Sequence, residues 1–212
     1  TSEGMGYGHR LSKANKLPGV QVIDAYTKEV VASALFDLGG EQIFTPHGLG
    51  VSPDGRWVYI GTRQKVGTKE QGLTLVINAR TLKLDKTLTL ELPGTTGVGA
   101  IYYQALLHHV MSFTDWQGRD RVALEYGFGS NGGPHFITDP KEDNKVVKAI
   151  TYDDTRYQMG HPFLTVDPTG KFLYVSLEIN AWRDVAEDIG GIAKINLETG
   201  AVTVIPGVGA HP

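Results

Sequence analysis

Seven histidines are the side chains of this sequence best suited to chemistry: His9, His47, the adjacent pair His108-His109, His135, His161 and His211. Neutral imidazole is a good ligand for copper or zinc. Cysteine is absent, which excludes disulfides, thiolate sites, Fe–S clusters and a cysteine nucleophile. Any metal must therefore be held by His, Asp, Glu or backbone oxygen. Glu125, in the run Val122-Ala123-Leu124-Glu125-Tyr126, can act as ligand or proton acceptor. Basic residues recur in two segments, Arg10, Lys13 and Lys16 in one and Arg63, Lys65 and Lys69 in the other. Such a rim suits a small anion, and its ordinary reading is a solvated loop.

These residues need elements to position them, and the elements repeat. Val22-Ile23-Asp24-Ala25-Tyr26-Thr27, Val76-Ile77-Asn78-Ala79-Arg80-Thr81 and Lys194-Ile195-Asn196-Leu197-Glu198-Thr199 share one pattern. Each follows a glycine and leads into a β-rich run. Phe136-Ile137-Thr138-Asp139 is a degenerate fourth copy, and from Ile23 to Ile77, Ile137 and Ile195 the steps are 54, 60 and 58 residues. Hairpins precede the copies. One closes on Ser52-Pro53-Asp54-Gly55, one around Trp116-Gln117-Gly118, and one on Asp167-Pro168-Thr169-Gly170. The turn chemistry and the β-branched flanks fit antiparallel pairs.

The repeat predicts units of four strands, a to d, as in the blades of a propeller. The expected fold is all-β: a β-propeller of four-stranded antiparallel blades, with about half of a seven-bladed ring in residues 1–212. Strands b to d of one blade come first, with strand b at 4–10, then three blades at about 47–92, 108–152 and 161–206. Further blades, or a second copy, are needed to close the ring. No helix of consequence is expected, beyond one or two turns at 181–188. Because the chain begins at Thr1, it reads as processed or as a fragment.

In a propeller, strand a of each blade lines the central channel. His47, His108, His109, His161 and His211 fall at the starts of such strands, His135 at the end of a b–c loop and His9 at the end of a strand b. All map to one face, which predicts a metal cluster of His47, His108, His109, His161 and His211 at the channel mouth. Counting back from the turns aligns His47 with His109, and His161 with His108. The ordinary alternative is that His-Pro and Pro-His form turns whose imidazoles bond loop carbonyls. Asp115, in an a–b turn, belongs to the opposite face and reads as structural.

Composition narrows the classes. Lys and Arg total 20 against 23 Asp and Glu, a net charge of -3, which argues against a general nucleic-acid binder. No apolar run reaches the ~18 residues of a membrane span. There is no Gly-x-Ser-x-Gly elbow, no Walker-type loop and no His-Glu-x-x-His helix. Gly127-Phe128-Gly129-Ser130-Asn131-Gly132-Gly133 joins two predicted strands and does not open a helix, so it is no phosphate cradle.

The Pro-Asp-Gly hairpin and the Val-Ile-Asp-x-x-Thr strand resemble the YVTN-type propeller repeat. His108-His109-Val110-Met111-Ser112-Phe113-Thr114-Asp115 resembles the paired-histidine segment of nitrous oxide reductases, whose propeller holds a multi-copper centre; the resemblance makes His108 and His109 copper ligands. The thiocyanate dehydrogenases are the closer match in kind, with a seven-bladed propeller, a histidine-bound copper cluster and no second copper domain. This implies a periplasmic oxidoreductase that turns thiocyanate into cyanate and sulfur with release of two electrons, to an acceptor such as a c-type cytochrome. Glu125, Lys16 and His135 are then the candidate catalytic residues. A propeller of another class, non-catalytic and binding a protein or a surface, remains the alternative.

Overall fold

The computed structural model describes residues 17–39, 41–66, 69–88, 106–127, 135–150, 163–177 and 190–208. Among them are strands and no helix. Sheet 1 pairs β1 (Gly19–Ile23) with β2 (Val30–Leu35). Sheet 2 is β3 (Glu41–Val51), β4 (Trp57–Val66), β5 (Lys69–Asn78) and β6 (Leu84–Leu88). Sheet 3 is β7 (Leu106–Thr114), β8 (Asp120–Gly127), β9 (His135–Asp139) and β10 (Lys145–Ile150). Sheet 4 is β11 (Leu164–Val166), β12 (Phe172–Leu177), β13 (Gly191–Asn196) and β14 (Val202–Pro206). Sheets 2 to 4 each hold four strands in chain order, and every pair is antiparallel.

The turns explain the order. Between the last two strands of each unit stands an Asx residue whose side chain accepts two backbone N–H groups. Asp24 accepts from Tyr26 and Thr27, Asn78 from Arg80 and Thr81, Asp139 from Lys141 and Glu142, and Asn196 from Glu198 and Thr199. Four residues after each comes a left-handed backbone: Lys28, Leu82, Asp143 and Gly200. These residues fix the repeat alignment, and they correct it by one residue in sheet 3. Thr138, not Ile137, matches Ile23, Ile77 and Ile195.

A shorter turn accompanies this shift. The Ser52 N–H bonds the Trp57 carbonyl and the Asp167 N–H that of Phe172, whereas the Asp115 N–H closes on Arg119, one residue sooner. A one-residue change sends strand side chains to the opposite face. Counting from the turns therefore misaligns sheet 3 against its neighbours.

The sheets stack in chain order. Val20 and Phe36 pack on Ile60, Leu73, Leu75 and Ile77. Trp57, Tyr59 and Val76 pack on Val122, Leu124 and Phe136. Phe113, Ala123 and Ile137 pack on Leu173, Val175, Ala193 and Ile195. Sheets 2 and 3 are thus buried on both faces, which is why their middle strands read as near-continuous apolar runs. First strands adjoin, β3 beside β7 and β7 beside β11. Gly50 has no room for a side chain because Val110 lies against it, and the Ser112 hydroxyl donates to the Val51 carbonyl.

Several expectations change at strand boundaries. β3 starts at Glu41, so His47 lies within the strand, not at its start. The ladder of β4 and β5 runs to Val66 and Lys69, so Arg63, Lys65 and Lys69 are strand positions, not loop. Lys65 registers opposite Glu41 on one side and Glu70 on the other. The strand expected at 4–10 and the helical turns expected at 181–188 lie outside the described residues.

Candidate active site: a buried histidine–glutamate row

In sheet 3 the ladder sets three candidate residues side by side. His109 of β7 stands opposite Glu125 of β8, and Glu125 stands opposite His135 of β9. Directly opposed residues project to the same face, with Cβ atoms about 4.5–5.5 Å apart. The row continues into Ile150 of β10. It faces sheet 4, as do Met111, Ala123 and Ile137 beside it. A register shift between Leu107 and His109 brings His109 into line.

Glu125 and His135 are both 0 % exposed, and His109 is half-buried. Burial drives the Glu125 carboxyl well above its usual range, an effect that the His109 backbone N–H partly offsets. Burial also pulls the His135 imidazole down to about 4. At neutral pH the His135 imidazole is therefore neutral, and the Glu125 carboxyl beside it is shifted toward its protonated form. The ring of Phe163 lies against that of His109, with centroids 4.6 Å apart and planes tilted by 35°.

Matching rows exist in sheets 2 and 4, where His47 is the one histidine among the positions described. Four positions before each Asx residue stand Thr74, His135 and Ile192, and their partners on the neighbouring strand are Gly61, Glu125 and Ser176. The next residues across are His47 opposite Gly61, His109 opposite Glu125, and Phe163, whose N–H donates to Ser176 Oγ at 2.7 Å. His47 thus matches His109 by pairing. The position matching His109 in sheet 4 is Phe163.

The structure brings together His109, Glu125 and His135 from the predicted set. Lys16, His161 and His211 lie outside the described residues, as do the side chains of His47 and His108. Among the described residues no three His, Asp or Glu side chains gather to hold one ion. The donor types fit copper, but the row alone does not make a single-ion site.

Sequence reasoning missed a second polar cluster on this face, at the a–b turn. Arg121, between Asp115 at 3.3 Å and Asp139 at 2.5 Å, is buried with both. An arginine directly before the apolar run 122–124 was the available signal. Asp115 is structural, as expected: it accepts the Gln117 and Arg119 N–H groups and pairs with the Arg119 side chain at 2.8 Å. No helix among the described residues is long and apolar enough to cross a membrane. No family model and no curated protein matches the chain.

Proposed function

We propose that this chain forms part of a β-propeller that acts as a periplasmic copper-dependent oxidoreductase on a small inorganic anion, in the manner of thiocyanate dehydrogenases. The observation that carries this reading is the row His109–Glu125–His135, buried in one sheet and replaced by unreactive residues at matching positions of sheet 4. The stacking of four-stranded sheets, with their first strands adjoining, supports the propeller.

His109 is the described residue that would hold copper, with ligands from His47, His108, His161 and His211. Copper, when bound, supplies the acceptor for two electrons. Thiocyanate and water give cyanate, sulfur, two protons and two electrons, so the site must take up protons. Burial raises the pKa of Glu125, which makes its carboxylate a stronger proton acceptor than an exposed one. His135, neutral at physiological pH, stands beside Glu125 as a weaker proton acceptor. Glu125 stands between the two histidines, at the middle of the row. The basic segments with Lys16 would attract the anion, and a c-type cytochrome would take the electrons.

Metal analysis of the purified protein after copper loading and dialysis tests the reading. The expected result is bound copper in the wild type, a lower copper-to-protein ratio in His109→Ala, and an unchanged ratio with lost thiocyanate oxidation in His135→Gln. A wild type that retains no copper overturns it and leaves a non-catalytic binding propeller.

A further inference from the structure

We propose that a second copy of this chain docks its sheet 1 onto the outer face of sheet 4. The inference rests on how the sheets stack and stands whether or not the copper reading does. Inside the chain the contact is already drawn. Sheet 2 holds the turn between β9 and β10 with three side chains: Trp57 Nε1 donates to the Pro140 carbonyl at 3.3 Å, the Tyr59 hydroxyl bonds Asn144 Oδ1, and Lys86 Nζ pairs with Asp143. Their neighbour on that face is Val76.

Pairing to the Asx residue locates the same positions in sheet 4. Trp57 is opposite Asn78 and Phe172 opposite Asn196, so Phe172 matches Trp57, Tyr174 matches Tyr59 and Lys194 matches Val76. This face keeps the aromatic pair but sets a cation among it. Lys194 Nζ lies 4.2 Å from the Phe172 ring centre and 5.9 Å from that of Tyr174. Ile205, in the position of Leu88, is exposed on the same face, whereas Leu88 packs into the contact between sheets 2 and 3.

Sheet 1 carries the complementary half. Ile23 is 57 %, Val30 54 % and Leu35 67 % exposed. The residues that match Ile23 and Val30 are Ile77 and Leu84 in sheet 2, and Thr138 and Val146 in sheet 3. All of these are covered or partly covered by the preceding sheet. The residue five places after the Asx residue is Asn144 in sheet 3 and Glu29 in sheet 1. Docked as sheet 3 docks on sheet 2, sheet 1 of a second copy brings Glu29 to the Tyr174 hydroxyl, beside Lys194. The one cation set into the outer aromatic face thus meets a carboxylate at the matching place. The contact is head-to-tail, and two of them join a pair of chains.

Sedimentation velocity of the metal-free protein over a range of concentrations tests this. The wild type should associate reversibly into a dimer. Lys194→Glu and Glu29→Lys should each weaken the dimer by about tenfold or more, because like charges are brought together. Leu35→Asp, at an exposed position, should do the same. Mixing the two charge variants should restore association, since each copy then meets its opposite. Circular dichroism confirms that each variant keeps its β signature. A wild type monomeric at all concentrations, single variants that associate like wild type, or a mixture that stays monomeric would each overturn the proposal.

Discussion

Arg121 and Glu125 stand on the same strand and the same face, four residues apart, and both are buried. Their surroundings lead to opposite charge states. At the turn end, burial pushes Asp115 and Asp139 upward. N–H donors from the turn and the guanidiniums of Arg119 and Arg121 outweigh it, and both carboxyls stay below their usual range. At the row end, burial outweighs the His109 backbone N–H at Glu125, and the carboxyl goes up while the His135 imidazole goes down. Burial discharges an ionisable group unless donors and an opposite charge are built around it. One end of sheet 3 is a filled electrostatic joint; at the other, burial favours the uncharged form of each group.

Removing the joint should give the largest effect. Arg121→Met leaves Asp115 and Asp139 as buried carboxylates with less compensation, and breaking one partner of such a set costs about 3–5 kcal/mol. Urea unfolding at pH 7 measures it. The loss should shrink at low pH, where the two carboxyls become protonated. A loss below about 1 kcal/mol at pH 7 would mean that Arg119 and the turn N–H groups suffice alone.

The row should show its character in the pH dependence of stability. His135 titrates near 4 when folded and near 6.5 when unfolded. Its contribution is therefore full above 6.5 and is lost as pH falls toward 4, a loss on the order of 3 kcal/mol. Glu125 has the opposite sign. Its folded pKa lies above the reference 4.5, so stability is full below 4.5 and falls as pH rises. Tm curves of the metal-free protein should thus separate: His135→Leu flattens the acid limb, and Glu125→Gln flattens the alkaline limb. Curves parallel to wild type in both variants would show that neither group is held neutral.

The contrast also explains what the sequence could reveal. Asp-Gly and Thr-Gly turns, and the Asx residues at 24, 78, 139 and 196, announce themselves in four residues of local chemistry, so the four-strand units were legible. The row was not. His109, Glu125 and His135 were visible one by one, but their alignment depends on ladder register across three strands, with a shift at Leu107/His109. The shortened Asp115 turn changes the register of the whole sheet through a single residue. Arg121 was hidden for the same reason, since its carboxylate Asp139 is 18 residues away in sequence. Local signals set element type, while faces and neighbours are set by pairing.

The smallest expected effect lies outside the two clusters, in a pair of matching lysines. Lys86 on β6 reaches the Asp143 carboxylate and carbonyl in the next sheet's turn. Lys148 on β10 reaches the Leu197 and Glu198 carbonyls at 2.6 and 3.0 Å in the turn after that. The positions match, because Lys86 pairs with Val76 and Lys148 with Ile137. The targets differ. Asp143 is exposed, so the ion pair at Lys86 is worth a few tenths of a kcal/mol to about 1 and fades in salt. Lys148 is partly buried, and desolvation lowers its pKa against the pull of Glu198. Its hydrogen bonds to fixed carbonyls depend less on screening and should contribute about 1–2 kcal/mol. Lys86→Met and Lys148→Met, unfolded in 0.1 M and in 1 M sodium chloride, should therefore diverge: the first loss disappears in high salt and the second persists. Two losses of equal size that both vanish in salt would place Lys148 with the surface ion pairs and leave the contact between sheets 3 and 4 to apolar packing alone.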